Sequence, residues 1–143
     1  MVEIKEIMHA VTIVPEDMTV LEVAQLMEDK NTTAVLVGTP GEIAGILTER
    51  DILTKVTARA IDPRLIRLSQ IMTPAIQTIE STANIIKAAE MMDTKGIRHL
   101  PVTREGKIVG IVRAHDISRS MPFAVYSRVS SNRKMDENHY PEF

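Results

Sequence analysis

The sequence predicts an α+β fold made of two similar units, each running strand, helix, strand, strand, helix. Three observations predict it. The first is an internal repeat: moved by 65 positions, residues 12–52 lie over 77–117 without a gap. Val37 then meets Val102, Gly41 meets Gly106, Ile43 meets Ile108, Gly45 meets Gly110, Ile46 meets Ile111, Asp51 meets Asp116 and Ile52 meets Ile117. Upstream, at an offset of 64, Ile7-Met8 lies over Ile71-Met72. The second is a helical spacing of apolar residues in each copy, and the third is a pair of short apolar runs bracketing a turn. A repeat of this kind is one supersecondary unit used twice, whose copies cover each other's apolar faces.

The elements follow in order. Val20, Val23, Ala24 and Met27 stand at i, i+3, i+4 and i+7, and Ile85, Ala88, Ala89 and Met92 repeat that spacing, so each stretch is an amphipathic helix. Thr33-Ala-Val-Leu-Val37 and Arg98-His-Leu-Pro-Val102 come next as strand-length runs. The turn-forming Gly38-Thr-Pro-Gly41 and Thr103-Arg-Glu-Gly106 lead from them to Ile43-Ala-Gly-Ile-Leu47 and Ile108-Val-Gly-Ile-Val112, giving a hairpin in each copy. Second helices are expected from Thr48 to Ala58 and from Arg113 to Ser120, the first stopping ahead of Pro63 because proline disfavours helical geometry in the residue before it. Residues 1–59 are thus the first repeat, 60–65 a connection, 66–121 the second repeat and 122–143 a C-terminal tail. The tail lacks periodicity and is expected to be mobile or to dock through Phe123, Tyr126 or Phe143.

Composition narrows the function. The 17 basic and 19 acidic residues leave a net charge of −2, far from the basic face of a duplex-binding protein. All four aromatics, Phe123, Tyr126, Tyr140 and Phe143, fall in the last 21 positions, so residues 1–122 have no platform for stacking bases. The absence of Cys excludes disulfides, thiolate metal sites and a Cys nucleophile. Without a long apolar run, or an N-terminus that passes from basic to apolar, the expectation is a cytoplasmic protein with no membrane partner.

Taken together, these residues carry a resemblance. Two Ile-Met pairs (Ile7-Met8, Ile71-Met72), the amphipathic helix, the strand Arg98-His-Leu-Pro-Val102 and a Gly-Ile-x-x-x-x-Asp close (Gly45 to Asp51, Gly110 to Asp116) resemble the CBS domain, named after cystathionine beta-synthase, over roughly residues 2–121. The resemblance implies a tandem pair of β-α-β-β-α CBS units with pseudo-two-fold symmetry and two clefts. It implies adenosine-containing ligands in those clefts, AMP, ADP, ATP or S-adenosylmethionine, and no required cofactor. It further implies a disc-like homodimer of CBS pairs, a regulatory, energy-sensing role without catalysis, and a separate regulated protein as partner.

By the same analogy each cleft takes its Asp from one copy and its base-contacting strand from the other. The first cleft would hold Thr48 and Asp51 with Thr73, Ile76, Ile97, Arg98, His99 and Pro101. The second would hold Arg113 and Asp116 with His9, Val11, Thr32, Thr33 and Ala34. Local sequence reads Thr48-x-x-Asp51 first as a capping box, in which hydroxyl and carboxylate satisfy free N–H groups of a helix start, and otherwise as a hydroxyl and a carboxylate offered to a phosphate and a ribose. In the second copy Arg113 is expected to abolish the box while Asp116 remains, which favours ribose recognition by both aspartates. Arg113 departs from the family's usual Ser or Thr; it either strengthens a phosphate site or fills the cleft. Arg98-His99 reads either as the wet side of an edge strand or as a phosphate contact.

His9, His99, His115 and His139 show no paired ligand spacing, so no metal site is expected, and Met8, Met72, Met91 and Met92 read as core filler. No nucleophile triad or phosphate-binding glycine loop argues for an enzyme. Nucleic acid remains only as a local basic patch near Arg64, Arg67, Arg128, Arg133 and Lys134. The remaining alternative to a nucleotide sensor is a protein-interaction or scaffold module with vestigial clefts.

Overall fold

A computed structural model describes residues 2–74 and 76–121. The expectations for the tail, including docking by its aromatics, the basic residues from Arg128 onward and His139, lie outside the described residues. The element order is β1 (Ile13–Val14), α1 (Val20–Lys30), β2 (Ala34–Thr39), β3 (Glu42–Thr48) and α2 (Glu49–Lys55), and then β4 (Ile79–Glu80), α3 (Ile85–Lys95), β5 (His99–Arg104), β6 (Lys107–Arg113) and α4 (Ala114–Ser120). The expected strand-helix-strand-strand-helix order occurs twice.

Capping residues fix the two long helices. Thr19 Oγ1 accepts from the Glu22 N–H at 3.2 Å at the start of α1, and Asn84 Oδ1 accepts from Lys87 N–H at 3.0 Å at the start of α3. Asn31 and Gly96 end them in the left-handed region, at φ 50° and 66°. The expected long helix after β3 stops instead at Lys55: the backbone turns at Val56, which goes into the core at 1 % exposure, and resumes as a 3-10 turn over Thr57–Arg59.

Each half builds a three-stranded sheet, in the orders β1-β2-β3 and β4-β5-β6. The first two strands are parallel, joined by the helix between them, and the hairpin is antiparallel. Its registers match, Val37 opposite Gly45 and Val102 opposite Gly110, each followed by a bulge. The turns differ. Glu105 and Gly106 both have positive φ, as a type I′ turn requires, whereas neither Pro40 nor Gly41 does. β5 lies in the middle of its sheet, but β4 reaches only Val102 and Thr103, so at His99 the strand is paired with β6 alone.

The described residues of Ala10–Gln77 form one compact unit, and those of Met1–His9 and Thr78–Phe143 form the other. This division cuts across the repeats, because the segment leading into each repeat packs on the body of the other. Ile66, Leu68 and Ile71 join the core of Val14, Val20, Val23, Val35, Val37, Leu47 and Val56. Ile4 is fully buried in the core of Ile79, Ile85, Leu100, Val102, Val112 and Ile117. Met92 is buried, and Met8, Met72 and Met91 pack against these clusters, as core filler should. The leading segments also satisfy helix-start N–H groups that have no acceptor inside the helix. Val20 N–H donates to the Ile66 carbonyl at 3.0 Å, and Ile85 N–H donates to that of Val2 at 3.2 Å.

Two glycines make that packing possible. A Cβ on Gly45 would lie 2.7 Å from the Thr73 carbonyl oxygen and 3.0 Å from Met72 Sδ; on Gly110 it would lie 2.8 Å from the His9 oxygen and 3.0 Å from Met8 Sδ. The repeated Ile-Met pair and the repeated glycine are therefore the two sides of one contact, made by opposite copies.

Candidate functional site

In each unit the hairpin's last strand runs directly into a short helix, and the paired aspartates lie at that junction. In the Ala10–Gln77 unit, Thr48 closes β3. Its Oγ1 accepts from the Asp51 N–H at 3.4 Å, while Asp51 Oδ2 accepts from the Thr48 N–H at 2.9 Å and from its hydroxyl at 3.2 Å. The capping box is thus complete. The other oxygen, Oδ1, sits 3.0 Å from Lys55 Nζ, one helical turn on, and that ammonium also donates to the Ile71 carbonyl at 2.8 Å. β3 is flanked at this end by two segments. Ala34 pairs with Thr48, and Glu49 N–H donates to the Thr33 carbonyl at 3.0 Å; opposite, Ile46 and Thr73 exchange two hydrogen bonds of 2.9 Å each.

The second junction has the same backbone and different partners. Arg113 has no oxygen to accept the Asp116 N–H, so half of the box is lost; the expectation that all of it would go is corrected, because Arg113 N–H still donates to Asp116 Oδ2 at 3.2 Å. A backbone donor survives any side-chain change except proline. The guanidinium grips the same carboxylate in a fork, Nε to Oδ2 at 2.9 Å and Nη2 to Oδ1 at 3.0 Å. His9 Nε2 lies 3.0 Å from Oδ1 and 3.3 Å from Arg113 Nη2; the shorter contact to the carboxylate favours the proton on Nε2. His9 is itself held by two backbone bonds to Ile111, of 2.8 and 2.9 Å.

Partial burial alone would raise the Asp116 pKa. The Arg113 and His9 hydrogen bonds, the Arg113 N–H and the charge of His9 together outweigh it and hold the carboxyl down at about 2. The same fork raises Arg113 above its ordinary value against the effect of desolvation.

The structure groups the sequence-expected residues by unit. Thr48, Asp51, Thr73 and Ile76 share the Ala10–Gln77 unit with Val11, Thr32, Thr33 and Ala34. Arg113, Asp116 and His9 share the other with Ile97, Arg98, His99 and Pro101, where Ala114 N–H donates to the Arg98 carbonyl at 2.9 Å and His99 pairs with Arg113. Sequence reasoning missed Lys55, although its position four residues after Asp51 on a helix was a readable signal. It used Gly45 and Gly110 to align the repeats but gave them no packing role, although their recurrence in register marked the contact. Among the described residues no group of three or more His, Asp or Glu is placed to hold a metal ion, and no helix is long and apolar enough to cross a membrane.

Comparison with known proteins agrees with this architecture. The family model for the CBS domain matches twice, at residues 4–58 and 68–122. The chain is 32% identical over 121 residues to an uncharacterized protein of Methanopyrus kandleri, covering 83% of this chain and 62% of that one, so it spans about three-fifths of that relative's length. It is 32% identical over 120 residues to Hypoxic response protein 1 of Mycobacterium tuberculosis, covering 82% and 84%. The crystal structure of Hypoxic Response Protein I with two coordinated zinc ions superposes with a TM-score of 0.70, covering 85% of this chain and 100% of that one. A putative signal-transduction protein with CBS domains from Burkholderia ambifaria superposes at 0.74, with 31% identity and coverage of 78% and 82%.

Proposed function

The chain belongs to the CBS domain family, whose stand-alone members are in general regulatory rather than catalytic, and we propose that it binds adenosine-containing nucleotides and signals their level. The observation that carries this reading is the recurrence of one aspartate in one setting. Asp51 and Asp116 each stand three residues past the end of a hairpin, held by the backbone N–H of the residue at the strand's end. The capping box is complete at Asp51 and reduced at Asp116 to the Arg113 N–H, where Arg113 and His9 also hold the carboxylate. Asp51, whose Oδ1 meets only Lys55, is the one with an acceptor to offer. A carboxylate with two acceptor oxygens suits the adjacent hydroxyls of a ribose. Because residues 1–122 hold no aromatic, an adenine bound there would lie against aliphatic side chains and take its polar contacts from backbone. AMP, ADP, ATP or S-adenosylmethionine is the ligand class, and a homodimer of CBS pairs whose contacts shift on binding is the output, read by a separate protein.

A second reading is a protein-interaction module with vestigial clefts; the Arg113 fork on Asp116 favours it for one junction. Thermal denaturation against AMP, ADP, ATP and S-adenosylmethionine at millimolar concentration separates the two. A ligand at a hundred times its Kd stabilises the folded chain by about 2.7 kcal/mol. No shift with any of the four leaves the interaction module.

A further inference from the structure

Arg113 stands where the other junction has a threonine, and the change decides what the carboxylate is doing. Both oxygens of Asp116 carry two partners: Oδ2 has the Arg113 N–H and Nε, and Oδ1 has Arg113 Nη2 and His9 Nε2. A carboxylate oxygen has about two acceptor sites, so this one has none left for a pair of sugar hydroxyls. The fork is rigid and planar; the two carboxylates are about equally buried, Asp116 at 11% and Asp51 at 13% exposure, and differ in their partners. Asp51 is held differently. Its Oδ1 has a single partner, the ammonium of Lys55, on a flexible stem that is 43% exposed and already serves the Ile71 carbonyl. Such a pair is readily exchanged for another donor.

We infer that Arg113 and His9 are internal occupants of Asp116, so that the chain has one working ribose site, at Asp51, and a second that is filled by its own side chains. The word ribose rests on the reading proposed above; the inequality of the two sites goes beyond it. The occupancy has a further consequence. His9 belongs to the Met1–His9 segment and is bonded through its backbone to Ile111, so a ligand that takes Asp116 must displace a side chain of the segment that completes this unit's core.

Titration calorimetry on the full chain with AMP, ATP and S-adenosylmethionine tests the inference. The expected result is one equivalent per chain for the wild type, lost in Asp51→Asn, and two equivalents for an Arg113→Thr, His9→Ala double variant. The added site should bind at least tenfold more tightly than any second uptake by the wild type. Two equivalents in the wild type would overturn the inference, as would a single site that survives Asp51→Asn or a double variant that still takes one. Uptake of none of the three by the wild type would instead remove the adenosine reading. The inference is then decided without ligand, by carbon-detected NMR titration of the Asp116 carboxyl. A midpoint at least one pH unit higher in the double variant supports it, and equal midpoints overturn it.

Discussion

The junction at Thr48–Asp51 and the junction at Arg113–Asp116 share a backbone and differ in what surrounds one carboxylate. In the first, a hydroxyl and a half-exposed lysine leave it loosely engaged; in the second, a guanidinium fork and an imidazole enclose it. A repeat can thus keep a scaffold position while the few side chains around it reset its chemistry. The comparison has two layers, an equivalent scaffold and an inequivalent site, and each can be tested apart.

The scaffold gives the largest effects. Ile4 and Leu68 are both 0% exposed, and each is delivered to its core by a leading segment. Ile4→Ala and Leu68→Ala should each cost about 2–5 kcal/mol, read by urea denaturation. Hydrogen exchange locates the damage. Ile4→Ala should lower protection in residues 78–121 and leave 10–77 unchanged, and Leu68→Ala should do the reverse. Loss of protection in 10–59 on Ile4→Ala would break the assignment of each segment to the opposite body.

The glycine contacts come next. Gly45→Ala and Gly110→Ala place a methyl group against a backbone oxygen at 2.7 and 2.8 Å, a clash that no side-chain rotation relieves. Each should cost about 1–3 kcal/mol, as overpacking does. Equal losses sharpen the equivalence of the two scaffolds, and a difference above about 1 kcal/mol, well outside ordinary scatter for matched sites, breaks it.

The scaffold was legible in the sequence because its determinants are local and doubled. The i, i+3, i+4, i+7 spacing of Val20 to Met27 recurs at Ile85 to Met92, and each hairpin has its turn residues. Which body each Ile-Met pair would pack against was not legible, since a one-dimensional repeat is the same whether a segment packs on its own copy or the other. The site was half legible. Asp51, Asp116 and the odd Arg113 stood out in the alignment of the repeats, but whether a guanidinium turns toward the carboxylate or away from it is a rotamer choice set by neighbours such as His9, 104 residues distant in sequence. The early end of α2 was equally hidden, because it follows from the demand of the core for Val56.

Acid stability sharpens the inequality of the sites. The Asp116 carboxyl is held down at about 2 in the folded chain, against an ordinary value of 3.8. A depressed folded-state pKa means that the unfolded chain binds the proton more readily, so the stabilisation is full above about pH 4 and is lost as pH falls through 4 toward 2. Asp116→Asn should remove on the order of 2 kcal/mol at pH 7 and flatten the pH dependence in that window. A variant that keeps the wild-type acid profile would show that the fork contributes no net stability.

The smallest effect is the most direct comparison of the two junctions. Thr48→Ala removes the hydroxyl that accepts the Asp51 N–H and donates to Asp51 Oδ2, while the backbone N–H of residue 48 still reaches that oxygen. The first junction then keeps the half box of the second but lacks a guanidinium to hold the carboxylate. The cost should be about 1 kcal/mol, the ordinary value of a lost N-cap, seen as a lower urea midpoint at unchanged slope. Adenosine-ligand affinity separates the two roles of the threonine. A hydroxyl that only caps would lower stability and leave Kd within about twofold, whereas one that also meets the ligand would raise Kd by about tenfold, or 1.4 kcal/mol. Because Arg113 already dispenses with the hydroxyl, the first outcome would mean that the two junctions differ toward a ligand through the side chains on the carboxylate, Lys55 against Arg113 and His9, and the second that the second junction lacks a ligand contact as well as a cap.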